Sequence, residues 1–312
     1  MPKILISDVM DSIAEKILLS KKIEVDVKTD LSEEQLLNQI SSYHGLIVRS
    51  ATKVTKEVIS RGKNLKIIGR AGAGVDNIDL IAAKEKNIIV MNTPGGNTNA
   101  TAEHTLSLLF SLFRKIPEAN YGTHKGIWDK KNLKGNEVRG KTIGIIGFGN
   151  VGKSFANMCY VLGLNILIHS KYFDLIKLQY PQYKSIDLET LCRKSDIVSL
   201  HCEGNKDGSP KITKDQISLM KQNCYIINTA RGNLIDESDL KNALKNNIIK
   251  GAALDVFNVE PAIENELFNL KNLILTPHIA ASTFESQITV AEMIGNQFSD
   301  YFNDKELINI VD

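Results

Sequence analysis

The chain has 312 residues, 43% of them hydrophobic and 24% charged, with a formal net charge of +2. Such a length accommodates about two domains with ordinary cores. A near-neutral balance with no basic stripe between aromatics argues against nucleic-acid or membrane-surface partners. The four cysteines, Cys159, Cys192, Cys202 and Cys224, have neither C-x-x-C spacing nor metal spacing with the histidines. They read as free thiols of a reducing compartment. The opening MPKILISD runs straight into a strand-like stretch, without a signal-peptide core, and no apolar run reaches the length of a membrane span. A cytoplasmic location is therefore expected.

In chain order, the pattern predicts strands at 3–7, 24–27, 45–48, 65–68 and 88–91. Helices at 10–21, 32–42, 55–61 and 78–86 fall between them, with Ser32 as an N-cap. The Pro- and Gly-rich stretch 92–99 reads as a loop at a domain boundary. A long helix over 100–115 follows, then a polar segment around 128–139. Six further strands are predicted at 143–146, 165–168, 196–200, 224–228, 251–255 and 273–275. Helices at 188–193 and 238–245 lie among them, and a last helix covers 284–303. Strands that alternate with helices argue for α/β architecture with doubly wound parallel sheets. The first 95 residues look like a smaller α/β unit of their own.

The most informative stretch is Lys141–Gly152, KTIGIIGFGNVG. An apolar strand leads into Gly147-Phe148-Gly149-Asn150-Val151-Gly152, and a helical pattern follows. Strand, G-x-G-x-x-G and helix in that order form the context of a dinucleotide fingerprint. Gly147 permits the turn, Gly149 lets a pyrophosphate approach the backbone, and Gly152 lets helix and strand pack closely. The positive end of the helix dipole would face the phosphates.

In doubly wound sheets, ligands lie beyond the carboxyl ends of the strands. Three predicted strands deliver polar residues there: Arg231 after 226–228, Asp255 and Glu260 after 252–254, and His278 after 273–275. A carboxylate beside an imidazole suits a proton shuttle, and an arginine can clamp a carboxylate. Taken singly, each has an ordinary structural alternative: a surface ion pair, a turn residue, a core histidine. His201, also after a strand, is the competing acid/base candidate. His44, His104, His124 and His169 read as ordinary helix or loop residues.

Together with 45–55, 69–77, 90–94 and 228–232, these residues resemble the D-isomer-specific 2-hydroxyacid dehydrogenases, and within them the phosphoglycerate dehydrogenases most closely. The resemblance implies two Rossmann-like domains with an active-site cleft between them. The substrate domain would be 1–98 plus 287–312, and the cofactor domain 99–286. It implies His278 as acid/base, Glu260 as its partner, and Arg231 on the substrate carboxylate and keto oxygen. Backbone of Gly72, Ala73 and Gly74 would also hold the carboxylate. Arg49 and Arg70 would meet a substrate phosphate. Gly147, Gly149, Asn150, Val151 and Gly152 would hold the pyrophosphate, with Ser170, Lys171, Cys202, Thr229 and Asp255 along the rest of the cofactor. The implied partner is a small 2-hydroxy or 2-keto acid, with a homodimer formed through the helix at 100–115 and the arm after it. No metal is implied.

Two features depart from the family pattern. An acidic residue usually follows the second strand of the cofactor domain, to bond the adenosine ribose; here Ser170 and Lys171 occupy that place. NAD is the expected cofactor, with Asp174 or water substituting, and NADP is an option because no carboxylate repels a 2′-phosphate at 170. The usual His-Thr-Pro segment is His201-Cys202-Glu203. Neither a C-terminal regulatory domain nor feedback through one is expected. The implied reaction is oxidation of a phosphorylated D-2-hydroxy acid in serine synthesis. The alternatives are a hydroxypyruvate or glyoxylate reductase and a non-enzymatic, dinucleotide-sensing corepressor-like protein.

Overall fold

The computed structural model describes every residue except 206 and 312, and the side chain of Asp174 also lies outside the described residues. The chain divides into two compact units, one of residues 1–97 and 282–312, the other of 98–281.

The first unit begins β1 (Lys3–Ile6), α1 (Ile13–Ser20), β2 (Glu24–Val27), α2 (Glu33–Gln39) and β3 (Gly45–Val48). It continues α3 (Lys56–Arg61), β4 (Ile67–Arg70), α4 (Leu80–Glu85) and β5 (Ile89–Met91). α2, α3 and α4 start where side chains cap free N–H groups. Ser32 and Gln35 form a reciprocal capping box on α2, and Thr55 and Asp79 cap α3 and α4. The strands form one parallel sheet in the order β2-β1-β3-β4-β5. Alternation splits its core in two: Leu5, Leu46, Val48, Ile68 and Val90 on one face, and Ile4, Ile6, Ile47, Ile67 and Met91 on the other.

β4 starts two residues later than the sequence suggests and includes Gly69 and Arg70. The glycine that looked like a strand end is a packing position, because a Cβ there would come within 2.3 Å of the Phe298 ring. Both sheet edges are covered or charged. On β2, Glu24 and Asp26 pair with Lys3 at 2.6 and 3.2 Å. On β5, Met91 forms an antiparallel bridge to Ile310, and the Val311 N–H donates to the Val90 carbonyl at 2.8 Å.

The second unit opens with α5 (Thr98–Arg114) and α6 (Ile116–His124), then β6 (Thr142–Ile146), α7 (Asn150–Val161) and β7 (Asn165–His169). Next come α8 (Phe173–Ile176), β8 (Lys184–Ser185), α9 (Leu188–Lys194), β9 (Ile197–Leu200) and α10 (Lys214–Leu219). The unit closes with β10 (Tyr225–Asn228), α11 (Glu237–Lys245), β11 (Gly251–Leu254) and β12 (Leu273–Leu275), and α12 (Phe284–Phe302) then returns to the first unit.

The larger sheet is parallel, in the order β12-β11-β10-β9-β6-β7-β8. Among the described residues it thus has seven strands rather than the expected six, β8 being a two-residue addition at the edge. After β6 the chain builds outward to β8 and then resumes at β9 on the other side of β6. That reversal makes the crevice between β6 and β9 the topological switch point, where doubly wound sheets take ligands. α6 was also unforeseen. Lys115 adopts a left-handed backbone (φ 53°) that ends α5, and Pro117 sits in the first turn of the new helix. Among the described residues no helix is long and apolar enough to cross a membrane, and no group of three or more His, Cys, Asp and Glu could hold a metal ion.

Candidate active site

The glycine turn lies where β6 ends at the switch point. Gly147 has φ 95°, a conformation other residues rarely adopt, and its N–H donates to the His169 carbonyl at 2.9 Å. A Cβ on Gly152 would come within 2.3 Å of the Gly147 oxygen, so α7 can approach the turn only with glycine there. Gly149 is the N-cap of α7 and contributes no side-chain cap, and the space a Cβ would occupy is open. The first turn of a twelve-residue helix, carrying Asn150, Val151 and Gly152, thus starts from an unshielded glycine. This donor set fits a pyrophosphate, since helix N-termini offer N–H groups and positive potential.

Ser170 follows β7, whose last residue His169 is bonded to Gly147, so it stands next to the turn. Lys171 is exposed, with Nζ 5.6 Å from the Tyr172 ring centre. Cys202 is half-buried against Gly147, and burial pushes its thiol pKa up. His201 does not belong to this chemistry. Its ring lies in the core against Phe155, Nε2 is 2.8 Å from Ser199 Oγ, and burial lowers its pKa to about 3. A neutral core imidazole cannot serve as an acid near neutral pH.

β10, β11 and β12 are adjacent, and their carboxyl ends bring Arg231, Asp255, Glu260 and His278 to one rim. Asn228 shapes the turn before Arg231: its Nδ2 donates to the Arg231 carbonyl at 2.8 Å, and its Oδ1 accepts the Ala230 N–H at 3.0 Å. Glu260 Oε1 accepts the Phe257 N–H at 3.0 Å, and Oε2 lies 2.6 Å from His278 Nδ1. The Glu260 hydrogen bond, opposed by burial and by the nearby Arg231 charge, raises the His278 pKa above its ordinary value. Burial pushes Glu260 up, yet the bonds from His278 and the Phe257 N–H hold it below the usual carboxylate range. The two groups therefore favour each other's charged forms.

Asp255 is fully buried. Its Oδ1 accepts the Thr276 hydroxyl at 2.5 Å and the Ile279 N–H at 2.9 Å; its Oδ2 accepts the Ala280 N–H at 2.8 Å. Burial raises this carboxyl, but the bonds from His104, Thr276, Ile279 and Ala280 keep it depressed overall. The α5 side of the rim comes from His104, with Nε2 3.1 Å from Thr276 Oγ1, and from Thr105, 2.8 Å from Thr229. His104 and Thr276 were missed in the sequence. The available signal was position: His104 lies one turn from each of the buried residues Ala100 and Leu108.

In the smaller unit, Arg49 follows β3 and Arg70 ends β4. The Asp8 carboxylate accepts the Arg49 N–H at 2.5 Å, and Arg49 Nη1 donates to the Val9 carbonyl at 3.0 Å. Arg70 turns onto its own neighbourhood, with Nε donating to the Arg49 carbonyl at 3.1 Å and Nη1 to the Gly74 carbonyl. The carbonyls of Gly72 and Ala73 accept from the Thr93 N–H and the Asn92 side chain. The Gly72 N–H donates to the Arg70 carbonyl at 2.9 Å. Gly72–Gly74 is thus a loop pinned on its carbonyl side, with Arg70 as one of the pins.

A parallel α/β unit with a glycine turn at its switch point and a carboxylate–imidazole pair on the same rim defines a dinucleotide-dependent class. The family described as D-isomer specific 2-hydroxyacid dehydrogenase, NAD binding domain, matches residues 106–280. The chain belongs to the D-isomer specific 2-hydroxyacid dehydrogenase family. It is 42% identical to the D-3-phosphoglycerate dehydrogenase of Archaeoglobus fulgidus over 293 residues, 94% of this chain and 56% of that protein. It is 40% identical to the hydroxypyruvate reductase of Thermotoga maritima over 302 residues, 95% of this chain and 97% of that one. The NAD+-bound 3-phosphoglycerate dehydrogenase of Entamoeba histolytica matches with a TM-score of 0.84 at 29% identity, over 100% of this chain and 98% of that one. The chain spans about half the length of the curated phosphoglycerate dehydrogenases it matches, 54% to 59%.

Proposed function

We propose that the chain oxidises D-3-phosphoglycerate at C2 to 3-phosphohydroxypyruvate, the entry to serine synthesis, with a nicotinamide cofactor. The observation that carries the dehydrogenase reading is the 2.6 Å pair of His278 and Glu260, on the rim that also bears the open glycine turn. A bound nicotinamide supplies the hydride acceptor. Glu260 holds the proton of His278 on Nδ1, so Nε2 faces the task of taking the C2 hydroxyl proton. As that proton moves, the imidazolium that forms is stabilised by the carboxylate already bonded to it. Arg231 binds the substrate carboxylate and polarises the oxygen at C2. The Ala73 and Gly74 N–H groups assist with the carboxylate, that of Gly72 being bonded to the Arg70 carbonyl instead, and Arg49 and Arg70 are assigned to the phosphate. Thr229 and Asp255 line the nicotinamide side.

NAD is the cofactor we assign. Ser170 and Lys171 leave no carboxylate at 170 or 171 to repel a 2′-phosphate, so NADP is admitted. Exposed Ile116, Tyr121, Ile127 and Trp128, on and after α6, support a homodimer through this segment. A second reading, reduction of hydroxypyruvate or glyoxylate, is favoured by the match along nearly the whole Thermotoga reductase. Steady-state kinetics with D-3-phosphoglycerate, D-glycerate, hydroxypyruvate and glyoxylate, each with both cofactors, separate the two. The proposal expects the highest kcat/KM for D-3-phosphoglycerate with NAD. A tenfold or larger preference for hydroxypyruvate with NADPH replaces it with the reductase reading.

A further inference from the structure

We propose that His104, on α5, is a positioning residue for the turn that carries His278, acting through Thr276 and Asp255. The inference rests on the reading of His278 as the acid/base.

Three successive N–H groups of the turn converge on one residue. The Asp255 carbonyl accepts the His278 N–H at 2.8 Å, and the Asp255 carboxylate accepts the next two N–H groups, those of Ile279 and Ala280. His278 itself has φ 52°, a left-handed backbone that a non-glycine residue keeps only when its surroundings over-determine it. Whatever fixes the Asp255 carboxylate therefore helps to fix the backbone from which the His278 side chain reaches Glu260.

The carboxylate is wholly buried, so its position is set by protein donors. Thr276 spends its only hydroxyl proton on Asp255 Oδ1, and its oxygen must then accept. The ring nitrogen Nε2 of His104 lies 3.1 Å from that oxygen and 3.5 Å from Asp255 Oδ1. This assigns the His104 proton to Nε2 and makes the ring a donor that locks the hydroxyl rotor. α5 also meets the end of β10 through the Thr105–Thr229 bond, so one helix braces two strand ends of the rim. A side chain needed only to fill space would not require a donor at this point.

The experiment compares His104→Leu, which keeps bulk and removes the donor, with His104→Gln, which keeps a donor of similar reach. Misplacing a reacting group by about 1 Å can cost on the order of a hundredfold. His104→Leu is expected to lower kcat by about ten- to a hundredfold, with KM for the cofactor changed less than about twofold. His104→Gln should recover most of that loss. Hydrogen exchange, which is independent of turnover, should show the Ile279 and Ala280 amides losing protection in His104→Leu and regaining it in His104→Gln. A wild-type kcat in His104→Leu, or equal losses in both variants, overturns the positioning role. His278→Asn serves as the control: if it turns over normally the acid/base reading fails, and the amide exchange alone then decides whether His104 holds the turn.

Discussion

In the larger unit, two charged side chains at the strand ends, Glu260 and His278, close on each other; in the smaller unit, Arg70 donates to the carbonyls of nearby loops. Glu260 and His278 form a pair whose protonation states are coupled, and Asp255 organises the turn beneath them. Arg70, on an equally parallel sheet, instead donates to the Arg49 and Gly74 carbonyls. A mutual pair tunes acidity, which is what a reaction step needs. An arginine bonded to loop carbonyls tunes shape, which is what recognition needs. The first arrangement constrains the chemistry tightly, whereas the second leaves the substrate more open.

The largest expected effect tests the mutual pair. Glu260→Gln keeps the size and removes the charge, and a general acid–base step that loses its tuning should slow by about a hundredfold. The sign of the pH shift is fixed. Glu260 raises the His278 pKa, so the native imidazole stays protonated to higher pH. Without the carboxylate, that transition moves toward lower pH, and the kcat/KM profile for reduction should lose its activity at lower pH than wild type. An unmoved profile would detach Glu260 from His278.

Next comes the arginine end. Arg49→Gln should raise KM for D-3-phosphoglycerate by about tenfold, the worth of one charge-assisted contact, while D-glycerate is affected less than about twofold. Equal effects on both acids would remove the phosphate assignment and make the two rims alike in being local structure. The smallest effect is on stability and concerns Arg70 in its other role, as a pin on the loop. Arg70→Met should destabilise the protein by about 1 kcal/mol in urea unfolding, the net value of a typical intramolecular hydrogen bond. A stability equal to wild type would mean that the loop holds its shape without the guanidinium.

The fold was legible because most of its strands are short apolar runs that alternate with helical patterns, and because Ser32 announces α2 as its cap. Legibility failed where local signals gave way to packing. β4 runs through Gly69 because Phe298 needs the space, and Phe298 is more than two hundred residues away. α6 buries no residue, so it shows no apolar stripe. α10 has a readable signal in the capping box of Thr213 and Gln216. The glycine turn was plain from its spacing. His201 and His278 looked alike in the sequence, each following a strand; burial in the core removes the first, while Glu260 sits 2.6 Å from the second. Helix position alone did not reveal that His104 meets Thr276, since that pairing spans 172 residues of chain.

The bridge from Ile310 to Met91 has a meaning apart from catalysis. A bare outer strand is a template on which another molecule can lay its own backbone. Residues 309–311 run against the chain direction of β5 and take the Val90 and Met91 side of it out of play, while charged Glu24, Asp26 and Lys28 discourage the same approach at β2. Residues 309–311 thus act as a guard rail along β5, removing one edge on which identical molecules could pair.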